Sequence, residues 1–113
     1  MTASRRRFAR MTVDLPAQYA IGELPYWENC SIVNIGAGGL RLQTLNIIGG
    51  GATVSVRFEF EGMTIAARTR IVESSVDRAR GNAFSSAAFT TIDPAVQDKI
   101  EQRVAELRAA GQS

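Results

Sequence analysis

Histidine is absent from this chain, and cysteine and lysine occur once each, as Cys30 and Lys99. Without histidine, Ser-His and Cys-His nucleophile pairs cannot be assembled, and the commonest general base is missing. A lone cysteine excludes an internal disulfide, and with no histidine beside it the usual zinc and haem ligand sets are out of reach. Asp14 and the scattered glutamates form no pair at a recognisable catalytic spacing. No apolar run approaches the ~18 to 20 residues of a membrane-spanning helix, and no apolar stretch follows the N-terminal arginines to act as a signal peptide. The expectation is a cytoplasmic protein that is not an enzyme. Aromatic residues are few, at 7%, but a 45% hydrophobic content over 113 residues suffices for one domain that buries ~65% of its unfolded surface.

Acidic residues are missing from the first ten positions, where Arg5, Arg6, Arg7 and Arg10 stand. Beyond them the remaining nine basic residues face 11 acidic ones, so the net charge of +2 comes from one local feature. All the basic residues except Lys99 are arginine. That bias favours bidentate grip on phosphate and stacking on flat rings, and it suits a compact anion better than a long polyanion.

From Met11 onward the pattern is mostly of period two. Val54, Val56, Phe58 and Phe60 alternate with polar residues, the signature of a strand with one wet face. Glu61-Gly62 reads as a tight turn into a second run from Met63 to Ser74, in which Met63, Ile65, Ala67, Thr69 and Ile71 share a face. Shorter strands are expected at Thr12 to Ile21, Tyr26 to Val33, Gly39 to Thr44 and Asn82 to Thr90, with Asn34 to Gly38 among the connections. Six short strands with glycine-rich turns argue for a closed antiparallel barrel, because closure removes exposed edges. The period then changes. Asp93 fits an N-cap and Pro94 the first helical position, and Val96, Ile100, Val104 and Leu107 recur at helical spacing, giving one C-terminal helix over about 93–110. The chain thus divides into a flexible arginine-rich arm, 1–10, and a barrel with its helix, 11–113.

Two segments could carry chemistry. Arg5-Arg6-Arg7-Phe8-Ala9-Arg10 precedes the first strand, where neighbouring side chains point apart and can grip a flat anion from different sides. Such a run also suits a solvated basic tail, although a tail gains nothing from Phe8. The second segment, Asn34-Ile35-Gly36-Ala37-Gly38-Gly39-Leu40, could bring a ligand close to backbone N–H groups, with the Asn34 amide offering a donor and an acceptor to a base edge. By itself it reads better as a plain glycine-rich connection.

Together the two resemble the PilZ domain, the bacterial receptor for cyclic di-GMP, whose pattern is R-x-x-x-R followed by [D/N]-x-S-x-x-G. Arg6 and Arg10 match the first part, flanked by Arg5 and Arg7; Asn34 and Gly39 match the ends of the second, while Gly36 stands where the family has serine. The resemblance spans nearly the whole chain and implies the same fold, a six-stranded antiparallel barrel followed by a helix. It implies a ligand site formed by Arg5, Arg6, Arg7, Arg10, Asn34, Gly36 and Gly39, no further cofactor, and output to a flagellar, polysaccharide-synthesis or regulatory protein. Arginine supplies cations and stacking surfaces for two phosphates and two guanines, and Asn34 reads a guanine edge. Arg5 could serve a second, stacked ligand molecule. Restoring serine at Gly36 should add a hydroxyl bond and up to about tenfold in affinity, unless Gly36 sits at positive φ. The rival reading is a degenerate PilZ-type adaptor that binds protein only. A nucleic-acid binder using the same arm is opposed by the acidic balance of the rest. Arg41, Arg68 and Arg70 are placed on strands, expected to point outward into solvent, with a place on the ligand surface open to any of them; Arg78 and Arg80 are expected to solvate a turn, Tyr26 and Trp27 to sit on a strand in the core or at the barrel rim, and Cys30 to be structural.

Overall fold

The computed structural model describes residues 9–111. Six strands, β1 (Arg10–Ile21), β2 (Glu28–Gly36), β3 (Gly39–Thr44), β4 (Thr53–Phe60), β5 (Met63–Asp77) and β6 (Asn82–Thr91), precede one helix, α1 (Pro94–Ala109). All pair antiparallel in the closed order β1-β2-β3-β6-β5-β4, with β4 returning to β1. Register shifts in the β1–β2, β2–β3 and β5–β6 pairs supply the local bends that closure needs.

Alternation along the strands fills the interior. On β4, Val54, Val56, Phe58 and Phe60 are buried between half-buried or exposed neighbours, and on β5 Ile65, Ala67, Thr69 and Ile71 do the same. Ile32, Ile35, Leu40, Leu42 and Ile100 complete the fully enclosed core, each contributing about 1.5 to 3 kcal/mol by burial. The buried hydroxyl of Thr69 donates to the Val54 carbonyl at 2.9 Å, so the one polar member of that row is satisfied. Glu61 and Gly62, with φ of 52° and 80°, form the two-residue β4–β5 turn whose twist matches the strands it joins.

The elements follow the sequence pattern except around the glycine-rich segment and its partner strand. β2 begins at Glu28 rather than Tyr26, so Tyr26 and Trp27 lie in the β1–β2 connection, 72% and 37% exposed, and not in the core. At its other end β2 continues through Asn34 and Ile35 to Gly36. Ile35 is fully buried opposite Leu40, and that burial extends the strand through residues whose composition suggests a loop. The β2–β3 connection shrinks to Ala37-Gly38.

α1 lies across the barrel end that carries this turn. The Asp93 carboxylate caps it by accepting from the Ala95 N–H at 2.9 Å, and Ile100 and Val104 are its buried face. Gln97 Nε2 donates to the Ala37 carbonyl at 2.7 Å, and Arg103 pairs with Glu61 at 3.4 Å, tying the helix to both turns at that end. No helix among the described residues is long and apolar enough to cross a membrane.

Candidate functional site

The two halves of the sequence pattern meet at the helix-covered end of the barrel. Arg10 opens β1 directly opposite Gly36, and Thr12 pairs with Asn34. Met11 and Ile35 point inward, which turns Arg10 and Asn34 outward on adjacent strands. Arg10 Nη1 donates to Asn34 Oδ1 at 3.3 Å across the 24 positions that separate them. Arg5, Arg6 and Arg7 fall outside the described residues.

Gly36 and Gly39 owe their identity here to the chain itself. A Cβ on Gly36 would overlap the Ala9 carbonyl oxygen and come within 2.9 Å of Arg10 Cγ; one on Gly39 would overlap the Ala87 carbonyl oxygen. Neither glycine has a positive φ. The first therefore lets the segment leading into β1 lie flat on β2, and the second lets β6 close against β3. The choice expected at Gly36, between a free surface position and a left-handed backbone, gives way to a third state: ordinary backbone whose side-chain space is already filled.

Arg41 departs from the expected solvated position. It sits on β3 opposite Asn34, half-buried, with Nη1 donating to Ser86 Oγ at 3.1 Å and its guanidinium 5.1 Å from the centre of the Phe84 ring. This places a second planar cation on the strand next to Asn34. Its position depends on the β2–β3 register, to which composition gives no access. Arg68 and Arg70 are exposed, as expected, Arg68 lying 4.0 Å from Glu23. Arg78 and Arg80 belong to the β5–β6 turn, where Asp77 Oδ1 accepts from the Ala79 and Arg80 N–H groups. Cys30 packs half-buried against the core, and burial pushes its thiol up to about 11. That is the environment of an inert structural thiol.

The PilZ domain family matches this chain over residues 4–106. The chain belongs to the PilZ family. PilZ domains are non-catalytic receptors for cyclic di-GMP. Solved structures share the fold at low sequence identity. The inhibitor of motility MotI/DgrA from Bacillus subtilis superimposes with a TM-score of 0.81 at 15% identity, over 98% of this chain. This chain spans 55% of that protein. The PilZ domain of YcgR from Escherichia coli, solved with c-di-GMP, gives 0.67 at 12% identity over 96% of this chain and 95% of that one. The MrkH–c-di-GMP complex from K. pneumonia gives 0.68 at 18% identity, over 96% of this chain and 54% of that one. No curated protein matches.

Proposed function

We propose that this PilZ domain is a cyclic di-GMP receptor whose ligand lies at the Arg10–Asn34 end of the barrel. The hydrogen bond between Arg10 and Asn34 carries the reading, because it joins the two motif halves into one surface with a phosphate-binding cation beside a base-reading amide. Arg6 and Arg10 hold phosphate and stack on guanine, and Arg5 and Arg7 add positive charge beside them. Gly36 and Gly39 act by letting backbone approach: Gly36 seats Arg10 beside Asn34, and Gly39 closes β6 against β3. Arg5 could serve a second, stacked ligand molecule. In this reading the arm orders over the nucleotide and the changed surface is read by a partner protein.

Isothermal titration with cyclic di-GMP tests it. Heat is expected at tens of micromolar protein and low salt, and Arg6→Ala and Arg10→Ala should each abolish most binding, each deleting a charge-assisted contact worth about 1.5 to 3 kcal/mol of binding free energy. Gly36, where the family has serine, favours a second reading, an adaptor that binds protein alone. A silent titration with the native fold intact, together with a stable protein complex recoverable from cell extract whichever nucleotide is present, would select that one.

A further inference from the structure

A second built feature lies on the barrel wall formed by β1, β2 and β4, away from the Arg10–Asn34 end. Arg57, exposed on the outer face of β4, holds its guanidinium 4.0 Å from the centre of the Trp27 ring. Its Nε donates to Gln18 Oε1 at 2.8 Å, and Gln18 Nε2 donates to Asn29 Oδ1 at 3.3 Å. The register places Gln18 opposite both Asn29 and Arg57, so this relay crosses three strands in one line. The guanidinium is therefore fixed in plane and direction while exposed. Among the described residues it makes no ion pair, although Glu59 stands two positions along the same face.

Beside it runs an open groove of about 570 Å³, bounded by Pro16, Phe58, Glu59 and Thr64 together with Gln18 and Arg57. The β1–β2 connection that supplies Trp27 also exposes Leu24 at 59% and Tyr26 at 72%. Tryptophan, tyrosine and arginine are the types that dominate binding energy at contact surfaces, and here three exposed apolar residues stand in one short connection, joined to the groove through the Trp27–Arg57 contact. A small ligand confined to the groove would leave Leu24 and Tyr26 in water. A protein segment crossing from groove to rim would cover them.

We infer that the Trp27–Arg57 surface is a docking site for a partner protein segment that presents a carboxylate to Arg57 and a large apolar side chain to Trp27 and Tyr26. Charge complementarity sets the partner's sign: the guanidinium is stacked on one face and anchored at Nε, which leaves its Nη edge for a carboxylate. Glu59 and Thr64 offer acceptors to the amides of an extended backbone.

Trp27 is the only tryptophan, so its fluorescence reports occupancy directly. Random peptides of about a dozen residues, displayed on phage and selected on the intact chain, should converge on Asp or Glu next to a large apolar residue. A synthetic representative should shift Trp27 emission and bind Arg57→Leu about tenfold more weakly. Arg57→Lys, which keeps charge but not the planar fork, should restore binding only in part. Arg57 is exposed, so Arg57→Leu should keep the native circular dichroism spectrum and titrate with cyclic di-GMP as the parent does, which separates failure here from failure of the nucleotide site. Convergence on peptides without an acid, equal binding to Arg57→Leu, or no enrichment above that variant would overturn the inference. So would quenching of Trp27 by free GMP with the same dependence on Arg57.

Discussion

The space a side chain would need at Gly36 is taken by the Ala9 carbonyl oxygen and Arg10 Cγ, so the residue that departs from the family pattern is also the one that seats the start of β1. Gly36→Ser must push Ala9 and Arg10 off β2, at an overpacking cost of about 1 to 3 kcal/mol. Urea denaturation should show a lower midpoint, and cyclic di-GMP should bind more weakly, because Arg10 loses its place beside Asn34. Tighter binding at unchanged stability would mean that Ala9 yields freely. Cys30 allows a separate test. Burial holds its folded pKa near 11, above the unfolded value of about 8.5. Between these values the unfolded chain has released a proton that the native chain keeps, so stability is fully present below the unfolded value and falls as pH rises toward 11. Burial also raises the pKa of the Tyr19 hydroxyl, which adds to the decline with the same sign. Urea midpoints taken from neutral pH to about pH 11 should therefore fall, and less steeply in Cys30→Ala.

At the scale of elements, α1 is fixed by two kinds of contact that differ in what they control. Ile100, on the helix's inner face, is wholly buried, and Ile100→Ala should cost about 2 to 5 kcal/mol through lost burial and the cavity left behind. Gln97 reaches the Ala37 carbonyl in the turn between Gly36 and Gly39, so Gln97→Ala should cost only about 1 kcal/mol, yet weaken cyclic di-GMP binding by loosening that turn. Thermal melts and titrations of the two variants should separate the effects. Much of this architecture is legible in residues alone. The alternation from Val54 to Phe60, the turn at Glu61-Gly62 and the Asp93-Pro94 helix start are local patterns, and local physics settles them. Asn34 to Gly36 is different: two of the three residues belong to turn chemistry by type, and only the burial of Ile35 against Leu40 on the next strand makes them β-structure. Arg41 and Trp27 share that difficulty. Arg41's surroundings, Ser86 and Phe84, are set by cross-strand register, a property of paired strands that no single segment carries, and Trp27's by how the β1–β2 connection folds onto Arg57 of β4.

On the scale of the whole molecule, the closed sheet and the proposed receptor function divide the chain differently. Among the described residues every strand pairing of the barrel is made from Arg10 onward, and the helix that covers its end packs on β1 and β2. The proposed phosphate grip, by contrast, depends on Arg5, Arg6 and Arg7. A chain beginning at Ala9 keeps the carbonyl that lies against Gly36, together with the Arg10–Asn34 hydrogen bond, and should melt within a few degrees of the full chain. Its response to ligand should differ sharply. At a free cyclic di-GMP concentration of 100 times Kd, a ligand that binds only the native state adds about 2.7 kcal/mol, which in a domain of this size raises the melting temperature by roughly 10 °C. The full chain should show that rise, and the chain from Ala9 should show little or none. An equal rise in both would place the site on the barrel alone, with Arg10, Asn34 and Arg41 as its cationic and amide groups. A shortened chain that melts far lower would instead mean that the N-terminal residues pack as part of the fold, and the arm would have to be read as structure before it is read as a ligand grip.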